Sequence, residues 1–256
     1  MKVTVLGCGS SQGVPMIGGH WGDCDPGNPR NRRRRPSIFV QWNGVNILVD
    51  TSPDLRAQAL DAGIDRIDAV LFTHAHADHV HGIDDLRGIW RGTGKDIDVY
   101  GEPEVLDEIV GRFPYLFHGM RGPERNYPPF LRPHAIDGPI ETRGLTIVPF
   151  EQDHGICRST GFRFDGFAYS TDVVRLSGES LDLIAGIDTW LVDCLRLHRA
   201  HPTHAHWPVT SAWLDRVRPR RAILTHMNHH ADYDAMQAAT PDDVEPAYDG
   251  MPIEVP

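Results

Sequence analysis

The stretch LFTHAHADHVHG, residues 71–82, constrains this chain more than any other part of it. His74, His76, Asp78 and His79 place four metal-capable side chains within six residues, directly after the apolar, strand-like run Ala69-Val70-Leu71-Phe72. Imidazole and carboxylate are the groups that a borderline divalent ion takes at neutral pH. Histidine is abundant here, 15 of 256 residues, so the competing explanation is a polar loop that is His-rich by composition alone. Independent placement at that abundance produces the pattern in roughly a few of every thousand such chains. The stretch therefore reads as a metal site.

Composition bounds what such a site can serve. Lys and Arg number 25 against 35 Asp and Glu, a formal net charge of -10. Phosphate affinity in nucleic-acid binders comes mainly from Lys and Arg, so nucleic acid is not an expected partner. The opening MKVTVLGCGS is short and soon broken by glycine, unlike a secretory signal. No apolar run approaches the ~20 residues that span a bilayer, so no membrane partner is expected. Cys8, Cys24, Cys157 and Cys194 form no CxxC pair, which fits reduced thiols. The expectation is a cytoplasmic globule of one domain over residues 1–256, with apolar residues at 40% filling a substantial core.

Short β-like runs recur at 3–6, 38–41, 46–49, 69–72, 97–100, 145–149, 161–164, 167–170, 190–192 and 222–224. Helices are predicted at 53–62, 102–110, 180–185 and 208–217, each ending at or shortly before a glycine or proline. Clustered strands with helices interposed predict two packed sheets with helices outside. Residues 13–36 are dense in Gly and Pro and read as a long loop. Residues 112–140 carry six prolines together with Phe113, Tyr115, Phe117 and Tyr127, and read as a lid or packed loop rather than strand or helix.

More His and Asp residues follow predicted strands: His154 in PFEQDHG, Asp172 in AYSTD and His226 in AILTH. A lone histidine after a strand is ordinarily a hydrogen-bonded surface residue; these share the position of His74. With THAHADH they resemble the metallo-β-lactamase superfamily, whose HxHxDH signature binds two metal ions. VLGCGSSQGVP, NILVDTSPDLR and AILTHMNH…AYDGM narrow the resemblance, which covers nearly the whole chain. It is then to the bacterial phosphodiesterases that open phosphoribosyl cyclic phosphate in phosphonate catabolism. The resemblance implies an α/β (α+β) fold, a four-layer αββα sandwich with a dinuclear site at one edge. In that pattern His74, His76 and His154 hold one ion, Asp78, His79 and His226 the other, and Asp172 bridges both. Such a ligand set suits Zn2+ or Mn2+, with Fe2+ a further possibility.

The segment RAHPTHAHWPVT holds His201, His204 and His206 before a predicted helix. Resemblance to the cyclic phosphodiesterases selects His204, expected to protonate the leaving alkoxide or bind a phosphoryl oxygen. A loop histidine capping the next helix is the alternative. Asp78 and His204 are the residues expected to act in catalysis. Arg30 and Arg32 to Arg35 form a basic run, either a solvated or subunit-contacting loop or arginines that grip substrate phosphate or pair with acidic residues. Some of the resembling enzymes carry a cysteine cage after GVP that binds a structural zinc with a late histidine. Here only Cys24 remains, with His229 at the late position, so no such zinc is expected.

The activity implied is a dinuclear hydrolase in which a metal-bridging hydroxide attacks phosphorus of a small cyclic or nucleotide-like phosphodiester. Its expected partner is a small anionic phosphate-containing substrate, and a homodimer is the family-based expectation. The alternatives are a tRNA 3′-processing endonuclease, a thioester or lactam hydrolase using the same ions on a carbonyl, and a non-catalytic relative. The full set of seven ligands opposes the last.

Overall fold

A computed structural model describes residues 1–122 and 125–256; Pro123 and Glu124, inside the proline-rich stretch, lie outside the described residues. Three antiparallel strands open the first sheet: β1 (Lys2–Gly7), β2 (Ser37–Trp42) and β3 (Val45–Val49). Parallel crossovers add β4 (Ala69–Leu71) and β5 (Ile97–Gly101). A separate hairpin follows, β6 (Met120–Gly122) with β7 (Arg125–Tyr127), and then β8 (Leu131–Ala135) pairs with β5 as an edge. The second sheet runs antiparallel through β9 (Ile140–Thr142), β10 (Leu145–Asp153), β11 (Arg158–Phe164) and β12 (Phe167–Ser170). It continues in parallel through β13 (Thr189–Asp193), β14 (Arg221–Thr225) and β15 (Val244–Pro246). Finally β16 (Pro252–Glu254) returns to pair with β1. Each large sheet has seven strands.

Side-chain alternation along each strand decides which layer it meets. Val3, Val5, Ile38, Val40, Val45, Ile47, Val49 and Leu71 belong to the core shared with the second sheet, among them Phe162, Phe164 and Tyr169. Their neighbours of opposite parity, Leu6, Phe39, Leu48, Val70 and Phe72, face a second core. That core is closed by α1 (Leu55–Asp61), α3 (Leu86–Thr93), α4 (Pro103–Arg112) and α5 (Pro114–Phe117). One further turn, α2 (Ala77–Val80), lies inside the histidine motif. The other outer layer is α6 (Gly178–Leu183), α7 (Trp207–Val217) and α8 (Tyr233–Ala239). Ser177 and Asp232 start α6 and α8 by accepting the backbone N–H of Ser180 and Ala235. The result is the four-layer αββα arrangement.

Two departures from the sequence reading have physical reasons. Residues 112–140 are not all loop: the stretch holds α5 and the edge strand β8. Pro133 in β8 masks the strand pattern, and an edge is where a sheet tolerates proline. The helix α3 also goes unread, because Gly88 and Gly92 interrupt LRGIWRGT.

The loop 13–36 is ordered, and its arginines are bound within the chain. Arg30 lies over the rings of Tyr233 and Tyr248, 4.7 and 5.0 Å from their centroids, and Arg32 over Trp21. Arg34 pairs with Asp61 at 2.6 Å and Arg35 with Asp54 at 3.0 Å. Arg33 is buried, donating to Asn31 Oδ1 at 3.1 Å and to the Asn228 carbonyl at 3.4 Å, with Cys24 Sγ at 3.9 Å. The run anchors the loop to its own fold.

One glycine fixes the turn that carries the histidine motif. Gly82 N–H donates to the Thr51 carbonyl, and Thr51 N–H to the His79 carbonyl at 2.7 Å. A Cβ at Gly82 falls 2.0 Å from the Ser52 carbonyl oxygen, whereas one at Gly88 meets nothing within 4 Å. Gly82→Ala is expected to cost about 1–3 kcal/mol through overpacking, lowering the melting temperature by at least about 2 °C. Gly88→Ala, in α3, is expected to leave it unchanged or raise it. Thermal melts followed by circular dichroism check both.

Candidate metal centre

β3 and β4 run parallel in the first sheet and β10, β12, β13 and β14 share one direction in the second, and the polar groups that follow these strands gather in one cluster. Parallel strands ending together leave such a crevice at their carboxyl ends. Asp50 follows β3, His74 and His76 follow β4, and His154 follows β10. Asp172 and His226 follow β12 and β14, while Asp193 closes β13. Asp50, Asp172 and His226 adopt left-handed backbone, with φ of 63°, 53° and 58°. That region disfavours side chains with a Cβ, and strain held at such turns aims a side chain.

Six of the seven sequence-predicted ligands fall into two overlapping sets. The atoms of His74, His76, His154 and Asp172 form one set, and those of His79, Asp172 and His226 another, each within 4.8 Å. Asp172 therefore belongs to both. Its Oδ1 lies 3.8 Å from His74 Nε2 and 3.5 Å from His154 Nε2, and its Oδ2 lies 3.0 Å from His79 Nε2. His74 Nε2 and His76 Nδ1 face each other at 2.9 Å. Asp78 Oδ2 stands 3.4 Å from His79 Nε2, on the side of the second set.

The donors fit a divalent cation. Asp78 Oδ2, His79 Nε2 and His226 Nε2 are buried without a hydrogen-bond partner, a cost of about 1–3 kcal/mol for each such group. Their convergence makes sense once a cation shares them. Hydrogen bonds on the far side of the rings set their orientation. His154 Nδ1–H donates to the Thr203 carbonyl at 2.8 Å, and His79 Nδ1–H to Asp50 Oδ2 at 2.7 Å. Burial pulls His74 well below the usual histidine range, and lowers His226 and His154. It also pulls on His79, but Asp172, Asp78 and Asp50 outweigh it and raise that imidazole well above its ordinary value. Burial pushes Asp172 up, yet His226 and His79 outweigh it and hold the carboxyl well below its ordinary value.

Of the three histidines before α7, His204 faces the cluster. Its Nε2 lies 3.9 Å from Asp172 Oδ1, and its Nδ1–H donates to Asp193 Oδ2 at 3.0 Å. Burial lowers its basicity, but Asp193 and the other carboxylates reverse that and raise it to about 9. His201 Nδ1 instead meets Thr203, and His206 occupies the cap of α7 without a capping side-chain bond. Gly155, with φ of 85°, packs against the Pro202 carbonyl and brings the His154 and His204 loops together. His229 stands beside His230, ring centroids 4.1 Å apart, and belongs to neither ligand set.

Asp50 and Asp193 are the functional residues that the sequence reading missed. Each ends an apolar strand, in NILVD and WLVD, as Asp172 nearly does in AYSTD. The same strand-then-aspartate signal was available for both. A cleft of about 810 Å³ opens onto the cluster, with His74 and His76 in its wall. Glu102, Glu104, Glu108, Asp137 and Glu151 line it, and Arg158 is its one basic lining residue among those described.

Comparison with known proteins agrees with this architecture. A family model described as a beta-lactamase superfamily domain matches residues 45–227. The crystal structure of a diphosphatase from the PhnP family superposes with a TM-score of 0.89 at 32% identity, covering 100% of this chain and 98% of that one. An octanoyltransferase of Porphyromonas gingivalis is 33% identical over 258 residues, 98% of this chain and 51% of that protein. A ribonuclease Z of Bradyrhizobium sp. is 32% identical over 140 residues, 53% of this chain and 46% of the relative. The chain spans about half the length of these curated relatives. No helix among the described residues is long and apolar enough to cross a membrane. With the family match spanning most of the sequence and the histidine–aspartate cluster seated where the strands end, the chain belongs to the metallo-β-lactamase superfamily of hydrolases.

Proposed function

We propose that the chain is a dinuclear metal-dependent phosphohydrolase acting on a small substrate through a doubly substituted phosphate, either a phosphodiester or a diphosphate. One observation carries this reading: Asp172, buried, is shared by two sets of metal-competent side chains, of which His74 and His76 stand in the wall of an open cleft. The full-length similarity to a diphosphatase supports phosphorus as the centre attacked. In this reading His74, His76 and His154 hold one ion, Asp78, His79 and His226 the other, and Asp172 touches both. Zn2+, Mn2+ or Fe2+ bound there supplies Lewis acidity and a water of lowered pKa.

The chain's own groups do the rest. Asp193 accepts the Nδ1–H of His204 and, with the other carboxylates, favours the cationic ring, which carries a second proton on Nε2 for the departing oxygen. The acidic lining of the cleft opposes a polyanion and leaves room for a compact substrate, which favours a small molecule over tRNA. The ribonuclease Z relatives support the polynucleotide alternative, and the octanoyltransferase relative supports a carbonyl-directed one.

Three measurements test the proposal. Metal-reconstituted protein is expected to hydrolyse bis(p-nitrophenyl) phosphate and cyclic ribose phosphates, but neither a tRNA precursor nor a thioester; turnover of the thioester alone would move the chemistry to carbon. His204→Ala is expected to lose about 10²- to 10⁴-fold in kcat while keeping its metal, and a near-normal kcat with full metal content refutes the proton-donor role. Elemental analysis should find both ions lost in Asp172→Ala and one retained in His226→Ala. Equal losses in the two variants would remove the bridging role of Asp172.

A further inference from the structure

Resting on that dinuclear reading, we infer that the Thr73 hydroxyl is a positioning group for both metal ions at once, acting through Asp50. Four residues form a closed polar set behind the cluster: Asp50, Thr73 and His79 are 0% exposed and His74 is 1% exposed. Asp50 Oδ1 accepts the Thr73 N–H at 2.9 Å, and Asp50 Oδ2 accepts the Thr73 hydroxyl at 2.9 Å. The same Oδ2 accepts from His79 Nδ1 at 2.7 Å, and Thr73 Oγ1 lies 3.0 Å from His74 Nδ1. His74 belongs to one ligand set and His79 to the other.

Counting donors settles every proton in this set. A carboxylate only accepts, and a hydroxyl has one proton to give. The Thr73 proton goes to Asp50, so Thr73 Oγ1 must accept from His74, which places a proton on His74 Nδ1. His79 Nδ1 likewise carries a proton, because Asp50 accepts there. Nε2 is therefore the nitrogen each ring has for a metal, the arrangement a ligand requires.

Deleting the hydroxyl disturbs both ends. His74 Nδ1–H loses its acceptor in a site closed to water, and nothing then holds that ring in its ligating tautomer. Asp50 loses one of its three donors, which changes the anchor of His79. A single small group thus serves two ions whose ligand sets share Asp172.

The test is metal titration of the full chain by isothermal calorimetry with Zn2+, on the wild type, Thr73→Val and Thr73→Ser. Valine matches threonine in shape and removes the hydroxyl; serine keeps it. Both binding steps are expected to weaken about tenfold to a hundredfold in Thr73→Val and to stay near wild type in Thr73→Ser. Two unchanged steps, or a loss confined to one step, overturn the inference. Should Thr73→Val fail to fold, long-range 1H–15N correlation spectra of the imidazoles in Zn2+-loaded wild type provide a second readout. They should show His74 and His79 both protonated at Nδ1, and a bare Nδ1 on either ring overturns the inference. Neither readout depends on turnover. A protein that binds two ions but hydrolyses no phosphate ester loses the phosphohydrolase reading alone.

Discussion

The carboxylate of Asp172 is the group on which the rest of this structure turns. It is 2% exposed, sits at the end of an internal strand and is held in a left-handed backbone. An isolated charge so placed is very costly, and proteins keep one only by pairing it or giving it a metal. Its neighbours are imidazoles brought from both sheets, and none is a permanent cation. Without ions, the charge must be met by protonating a histidine, and His79, surrounded by three carboxylates, is the ring driven that way. Binding of cations replaces that proton and leaves every ring in the neutral form that ligates.

This explains why the surroundings are rigid. Asp50, Asp172 and His226 hold strained backbone, and each is locked by a layer of hydrogen bonds outside the ligands. Asp50 ties the histidine motif to β3. The Ser159 hydroxyl donates to the Asp172 carbonyl at 2.7 Å, fixing that turn to β11. Beyond His226, Met227 N–H meets the Cys8 carbonyl, and Ser10 N–H meets the Met227 carbonyl. The buried Arg33 adds its bond to the Asn228 carbonyl. The long loop 13–36, which carries no ligand itself, thereby braces the turn that carries one. A basic run that resembles a phosphate grip in sequence is, in space, a brace.

How much of this was legible beforehand follows from how local each signal is. THAHADH is readable because its four side chains sit on a strand end and a single helical turn, α2, so spacing and space coincide. His154, Asp172 and His226 needed a likeness to a family, since their meeting depends on sheet order and not on spacing. Asp50 and Asp193 escaped although each ends an apolar strand in the same way, because an aspartate after a strand is also an ordinary turn residue. Only the contact with the far nitrogen of a histidine of the site separates the two cases. Among the elements, the central strands were plain from apolar runs, whereas β8 was hidden by Pro133 and α3 by two glycines. In those places tertiary packing overrides local preference.

The electrostatics of the cleft then combine two opposed demands. The chain carries a net charge of -10, and five carboxylates line the approach to the cluster. A strongly acidic surface should repel phosphate, yet two divalent cations held as proposed would outweigh the two carboxylates among their ligands. Salt limits the reach of surface charge to about 8–10 Å, while the buried centre is screened far less. A compact substrate with one or two phosphates can seat its charge directly on the cations. A longer polyanion must also lay phosphates along the acidic lining, where no metal compensates them. In the proposed phosphohydrolase, selection by length of charge would follow from where the cations are held.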